Sequence, residues 1–579
     1  MAQHPPRDVQ TVPIAADTLA LRCRSWQRLR FELEYALERG TTANSYLIQG
    51  EKIALIDPPG ETFATLFFTE LRRHVEFAQI DYVILGHINP NRVVTLAQLW
   101  QQAPQVTFVC SNPGDQALRS LLAQQIPEFF AQHPLKTHIV RGEASLDLGR
   151  GHRLEFIPIP TPRFPNGLAT FDPQTGLLFS GKFFSAHRCS DQVFDEGWQA
   201  LEEDYRYYFD CIHAPQVRQV EQVLERLARW PATCYANGHG SLVRYHLPEL
   251  TRSYRLWCER QSGCDVTVAL LYASAYGNTA TLAQALARGV SKAGVRVESV
   301  NCETASPEEI RQVVSTAQGI LLGSPTLGGH APTQMQTALG LVVDHVPRTV
   351  PVGVFGSYGW SGEAIEILAN RLRDAGFRWG FEPIRVKFAP TDADLQRCEQ
   401  TGTDFAQALR QKQRQTSARP TDAQAARTEQ AMGRVVGPLC VLAARRGELT
   451  GAMLASWVAQ ATFNPPGLTV AVAKDRAVES LLHVGDRFVL NILPEGSPLP
   501  RHFLKPFAPG EDRFAGVATS QTADGCPILT EALAYLHCQV AQRMECGDHW
   551  VVYATVDEGK VLNPTGITAV HHRKSGSHY

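Results

Sequence analysis

"DVTVALLYASAYGNTATLAQALARGV", residues 265–290, begins as a β-branched apolar run, passes through the small-residue loop 273–277 and leaves as an amphipathic helix. A strand that enters a helix through small residues presents backbone N–H groups and a helix N-terminus, an arrangement suited to phosphate. Ser274, Tyr276, Asn278 and Thr279 add hydroxyl and amide groups around Gly277. Two later apolar runs end alike, in "GILLGSPTLGG" (319–329) and "PVGVFGSYGWSGEA" (351–364). In a doubly wound parallel sheet such loops share the carboxyl edge, where ligands bind. One small-residue turn is weak evidence, but three after apolar strands predict a shared site. Its members are the first loop, then Ser324, Pro325, Thr326 and Leu327, and finally Gly356, Ser357, Tyr358, Gly359 and Trp360.

Outward from this segment the chain continues in both directions, and 579 residues exceed what one core supports. A polar stretch rich in Gln, Ala and Arg, residues 411–432, reads as a linker that is helical in part. A subtler change of pattern falls near residue 262. The expected domains are therefore 1–262, 263–410 and 433–579. A net charge of −2 gives no electrostatic footprint for nucleic acid. No apolar run approaches the roughly 20 residues of a bilayer span, and the start "MAQHPPRDVQ" lacks a signal peptide's hydrophobic segment, so a cytoplasmic location is expected. Thirteen cysteines contain no C-x-x-C pair, which argues against zinc ribbons and thioredoxin-like motifs.

Segment 1–262 alternates short strands and turns with helical runs, the pattern of a layered αβ fold with sites at strand ends. Its "ILGHINPNRVVTLAQL" (84–99) is a strand-to-helix turn filled with His87, Asn89, Asn91 and Arg92. Segment 433–579 reads as strands separated by turns, for which closure into a barrel is the natural solution.

The motifs "GTTANSYLI", "ALIDPPG", "GHINPNR", "FDPQTGLLFS" and "NGHGSLVRY" together resemble the metallo-β-lactamase-like domain of flavodiiron proteins. Segment 263–410 resembles a flavodoxin. "LTGAMLASWVAQATFNPPGLTVAVAKDR", "VGDRFVLNIL" and "GDHWVVYATVDEG" resemble a split-barrel flavin reductase. That order of domains resembles the three-domain flavodiiron proteins of oxygenic phototrophs. The resemblance implies an αββα sandwich, a doubly wound flavodoxin-like sheet and a split barrel. It also implies FMN on the three loops and NAD(P)H with a second flavin in the reductase domain. For that last domain it points to Thr450, Ser456, Trp457, Gln460, His549 and Arg573 as contacts.

In that family the turn reads His-x-Glu-x-Asp-His, completed by later His, Asp and His ligands to two irons. The matching positions here are His87, Asn89, Asn91, Arg92, Arg163, Lys182 and His239, of which only the two histidines agree. Arginine has no lone pair to offer a cation, and lysine must lose its proton first. One fixed positive charge about 4 Å from a divalent ion costs roughly 8 kcal/mol at an effective dielectric of about 20, and there are three. A standard diiron site is therefore not expected.

Because family members pair head to tail, the resemblance implies a metal-deficient subunit whose flavins feed a metal-competent paralogue in a hetero-oligomer. Such a complex would reduce oxygen to water with NAD(P)H, as an electron outlet in photoprotection. Two alternatives stand beside it. One is a self-sufficient homo-oligomeric NAD(P)H:flavin oxidoreductase in which oxygen reacts at FMN. The other is a regulatory subunit whose basic pocket senses an anion.

Overall fold

The computed structural model describes residues 6–26, 39–360, 362–416, 423–505, 507–508 and 510–573. Two compact units emerge, one of residues 1–264 with 297–310, the other of 265–296 with 311–579.

In the first unit, a seven-stranded sheet runs in sequence order from Arg7–Ala15 to Lys136–Val140. It faces a five-stranded sheet of order Cys234–Asn237, Leu177–Gly181, Leu168–Asp172, Arg153–Pro158, Ala144–Asp147. Alternation along the strands creates both faces. Tyr46, Ile56, Ile84 and Val109 meet Phe156, Leu168, Phe179 and Ala236 between the sheets. On the outer face of the first sheet, Leu47, Leu55, Val83 and Phe108 pack with Phe67, Leu96, Leu99 and Trp100 from helices. On the outer face of the second, Ile157, Phe171 and Leu178 pack with Phe209, Val220, Tyr254 and Trp257. The result is the αββα sandwich expected, and the turn 85–89 lies at a strand end, as sites do.

In the second unit, Thr267–Tyr272, Gly319–Gly323 and Pro351–Tyr358 pair in parallel, with Arg378–Trp379 and Ile384–Lys387 added beside Pro351–Tyr358. Helices Asn278–Lys292 and Asp392–Thr416 flank this sheet. The latter runs six residues past residue 410, so the segment read as a linker begins inside a helix; residues 417–422 lie outside the described ones.

Seven of the remaining strands form an antiparallel sheet whose order begins with Leu449–Ala455 and ends with Val458–Phe463. Two residues, Ser456 and Trp457, join these edge strands. Laid flat, six strand spacings would part them by roughly 29 Å, whereas two linking residues span about 10 Å. The sheet must therefore roll into a barrel split at Ser456–Trp457. Leu442, Val470, Val472, Leu490, Val540 and Val552 fill its core.

Candidate functional site

The turn after strand Ile80–Ile84 shows how each polar side chain is committed. Asn89 is the N-cap of helix Pro90–Gln102, and its Oδ1 accepts a hydrogen bond from the Arg92 backbone N–H at 3.0 Å. Asn91 lies against Gly60, where a Cβ would come within 2.5 Å of its amide nitrogen. Arg92 turns inward, donating to Asp57 Oδ1 at 2.5 Å and to the His87 carbonyl at 3.0 Å. Asp57 also accepts from Gly86 N–H at 3.0 Å. A carboxylate and a guanidinium, both buried, thus lock the turn.

The other aligned positions gather around Phe164. Its ring meets the His87 imidazole edge-on at 4.8 Å, while the Arg163 guanidinium and Lys182 Nζ lie 5.4 and 5.9 Å from its centroid. Lys182 Nζ is 2.8 Å from His239 Nε2, and His239 Nδ1 is 2.6 Å from the Thr42 carbonyl. A carbonyl only accepts, so Nδ1 carries the proton and Nε2 offers its lone pair to the lysine. The lone pair that would ligate a metal is already taken. His87 is fixed similarly. Asn166 donates its amide to the Ile88 carbonyl at 2.9 Å, so Asn166 Oδ1 accepts from His87 Nδ1 at 2.8 Å. Arg163 donates to the Cys211 carbonyl at 3.2 Å.

This donor set does not fit two irons: three cations stand where carboxylate or imidazole donors are needed. Among the described residues, one group of His, Cys, Asp or Glu brings three ligand atoms close enough to share an ion. It is Asp524, Cys526 and His537, in the barrel rather than here. Beyond the aligned positions lies His213, fully buried among Phe183, Tyr208, Phe209 and Tyr254, with neither ring nitrogen hydrogen-bonded. Burial, helped by the Arg163 charge, pushes its imidazole down to about 3. Asp57, Phe164, Asn166 and His213 escape motif reading because their partners are distant in sequence.

At the carboxyl edge of the parallel sheet, the three predicted loops do meet. Thr279 Oγ1 is 2.8 Å from Ser357 Oγ, and Thr326 N–H donates to the Ser357 carbonyl at 3.2 Å. Ser274 Oγ accepts from Ala280 N–H at 3.0 Å, and Ser324 Oγ donates to the Pro325 carbonyl at 2.8 Å. Gly356 is required by close approach, since a Cβ there would lie 2.0 Å from the Ser324 carbonyl oxygen. Gly277, at φ +82°, opens helix Asn278–Lys292 and has no side chain to cap it, so Ser274 Oγ takes the Ala280 N–H in its place. Helix N–H groups left uncapped are donors for an anion.

Two further features fit a flavin mononucleotide at this edge. Thr326 Oγ1 is buried without a partner. Tyr276 and Trp360 are 86% and 92% exposed, with Leu327 also exposed beside Gly328 and Gly329, which have open space where side chains would be. Tyr358, by contrast, is half-buried, with Gly362 set against its ring and its carbonyl accepting from Phe388 N–H. Gly359 sits between the two aromatics.

At the barrel's split, Trp457 lies 5.0 Å from the His549 ring, with the Arg573 guanidinium 4.9 Å from its centroid. Ser456 Oγ, in the same split, and His571 Nε2, two residues before Arg573, are buried without partners. These unsatisfied atoms suit a polar ring system such as a flavin. Two expected contacts fall outside the cluster. Thr450 lies six residues, or roughly 20 Å, along its strand from Ser456 and pairs with Arg445. Gln460 is exposed on edge strand Val458–Phe463, opposite Leu468. The extended strand carries both away from the turn that sequence proximity suggested.

Three family models match successive parts of the chain. Residues 41–240 match the ODP family beta lactamase, 270–402 the flavodoxin family and 432–576 the flavin reductase like domain. The chain is 60% identical to "Putative diflavin flavoprotein A 6" of Nostoc sp., over 100% of both chains. It is 58% identical to "Putative diflavin flavoprotein A 3" of Synechocystis sp., over 99% of this chain and 96% of the other. Among solved structures, the metal-soaked Flv1 flavodiiron core from Synechocystis sp. PCC6803 matches at 55% identity with a TM-score of 0.68. That match covers 70% of this chain and 100% of that one. Among the described residues no helix is long and apolar enough to cross a membrane.

Proposed function

We propose a function from the premise that this chain belongs to the three-domain flavodiiron proteins, the family named diflavin flavoprotein A in cyanobacteria. Membership follows from identities of 60% and 58% over essentially the full length, and it makes the chain a flavoprotein oxidoreductase. Our reading is that it takes electrons from NAD(P)H but does not itself carry the diiron centre. It acts as the metal-deficient subunit of a hetero-oligomer, in which a metal-competent paralogue reduces oxygen to water as an electron outlet in photoprotection.

The observation that carries this reading is the 2.8 Å contact between Lys182 and His239. It occupies the imidazole lone pair with an ammonium at two positions that the family resemblance aligns with iron ligands. Arg92 and Arg163 make the same substitution of side-chain charge for ion charge, with Asp57 as counter-charge for Arg92.

Bound flavin would supply reversible two-electron chemistry; the protein supplies position and dryness. Residues 274–279 would hold the FMN phosphate at the start of the helix, and Tyr276 and Trp360 would border the ring. In the barrel, Trp457, His549 and Arg573 would orient flavin and nicotinamide, the guanidinium countering developing negative charge.

The test is an assay of purified chain alone and mixed with a metal-competent paralogue, with oxygen uptake, peroxide yield and iron content measured together. Alone, the chain should bind FMN and show little four-electron oxygen reduction; the mixture should reduce oxygen to water. Rapid four-electron reduction by the chain alone, with two irons per subunit, would end the proposal. Stoichiometric peroxide from the chain alone would shift it to a self-sufficient flavin oxidase.

A further inference from the structure

The two flavin stations of one chain lie at opposite edges of the parallel sheet, and a buried charge cluster keeps them there. The FMN loops follow the carboxyl ends of Thr267–Tyr272, Gly319–Gly323 and Pro351–Tyr358. Helix Asn278–Lys292 starts at that edge and runs back, so its last turn lies at the amino edge, about 22 Å away at 1.5 Å per residue from 278 to 293. Helix Asp392–Thr416 ends at the same amino edge. Phe405 and Leu409 crowd Gly319 at the start of its strand, Lys412 donates to the Thr349 carbonyl at 3.4 Å, and Arg410 donates to the Ala293 carbonyl at 2.6 Å.

The barrel docks along the side of helix Asp392–Thr416, from Gln400 to Gln407, and against Lys292. Lys292 bonds the Glu399 carboxylate within the flavodoxin-like part and lies 3.6 Å from Glu479 of the barrel. Arg288 holds the other Glu399 oxygen at 3.0 Å, and Arg543 holds the other Glu479 oxygen at 2.6 Å. All these side chains are buried or nearly so. Around them Gln407 donates to Asp475 at 2.8 Å, and Gly510 N–H donates to Gln400 at 2.9 Å. Burying a cluster of charges is costly unless each finds its partner, so the arrangement admits one docking pose rather than many.

That pose fixes the barrel's aromatic site near the amino edge. Asp475 is hydrogen-bonded to Gln407, and the adjacent Lys474 donates its N–H to the Asp548 carbonyl. Asp548 precedes His549, which packs on Trp457. The Trp457–His549–Arg573 site thus connects through Asp548, Lys474 and Asp475 to Gln407, on the turn of the helix where Phe405 and Leu409 meet the start of strand Gly319–Gly323, while the FMN loops lie at that strand's other end. Electron transfer falls steeply with distance.

We propose that the docked barrel reduces not the FMN of its own chain but that of a second subunit. The inference rests on the flavin assignments of the proposed function. In electron terms, NAD(P)H gives a hydride to the barrel flavin, leaving NAD(P)+. The two electrons and accompanying protons then pass to the FMN of the other subunit, and the barrel flavin returns to its oxidised form.

The experiment co-expresses two differently tagged forms of the full chain. One carries Trp457→Ala and keeps only FMN; the other carries Ser274→Glu, whose carboxylate repels the phosphate, and keeps only the barrel flavin. Flavin content is measured by extraction, and anaerobic NAD(P)H is added to the purified mixed oligomer. The proposal expects FMN bleaching in the mixture and none in either form alone. A wild-type chain that bleaches while the mixture does not would overturn it. As an independent structural readout, Gln407→Cys and Asp475→Cys are joined by a short bis-maleimide in the wild-type background. Mass mapping should find the intrachain link, with the bleaching rate unchanged; a link that abolishes bleaching would mean the barrel must undock to serve its own chain. Failure of a wild-type chain holding both flavins to bleach with either nicotinamide would instead sink the functional reading beneath it.

Discussion

The pocket around Phe164 and the carboxyl edge of the parallel sheet are both built from loops at strand ends, yet one is closed on itself and the other is not. In the pocket, His239 is used at both ring nitrogens, Asn89 caps a helix and Arg92 is paired with Asp57. At the edge, a helix starts at a glycine, a buried threonine hydroxyl has no partner and two aromatic rings stand in solvent. Side chains can fill a pocket at strand ends with their own charges and hydrogen bonds, whereas an edge that leaves buried polar atoms without partners has room for a ligand to satisfy them.

The strongest way to break the comparison is to restore the lost donors. The combined variant Asn89→Glu, Asn91→Asp, Arg92→His, Arg163→His and Lys182→Asp removes all three cations and returns seven ligating side chains. It should bind two irons per chain on reconstitution, read by metal analysis and anomalous scattering, while the wild type binds none at those positions. Lys182→Asp alone should not suffice, because Arg92 and Arg163 remain. Failure of the combined variant to bind iron while staying folded would mean that the surrounding backbone, not the side-chain charge, excludes the metal.

A smaller effect is expected from Arg92→Met, which leaves the Asp57 carboxylate buried without its counter-charge. Breaking one partner of such a buried pair costs about 3–5 kcal/mol. Denaturant unfolding followed by a probe in the first unit should show this loss, and adding Asp57→Asn should recover most of it. If the pair is only ornamental, the single variant will unfold with the wild type.

The sequence disclosed the parts of each region that depend on local chemistry. The change of period at residues 265–290 reveals strand, loop and helix because each is set by neighbours within a few residues. The same holds for the turn 85–92, where the identities of Asn89, Asn91 and Arg92 already exclude good ligation. Partners brought together by the fold were not legible. Asp57 reaches Arg92 across 35 residues, Asn166 reaches His87 across 79, and Lys182 reaches His239 across 57. Thr450 and Ser456 share a motif but are held apart by the strand between them. The burial of His213 has little signal in "DCIHAPQ", since Tyr208 of its own helix is joined there by Phe183 and Tyr254 from distant parts of the chain.

The smallest effect sharpens the open side of the comparison. Trp360 is almost wholly exposed, touching Phe388 edge-on at 6.1 Å, so its removal should hardly alter folding. If its ring borders FMN, Trp360→Ala forfeits an aromatic contact of about 0.5–1.5 kcal/mol plus some apolar burial, a loss of roughly ten-fold in affinity. Fluorescence titration of apoprotein with FMN would register that change, with unfolding midpoint as the control. Phosphate contacts at residues 274–279 would be untouched, so binding should weaken rather than vanish. An unchanged dissociation constant would place the flavin ring against Tyr358 instead, whose half-buried position already anchors the loop. The direction of the result therefore distinguishes a solvent-facing ring that waits for a ligand from one that simply closes the edge.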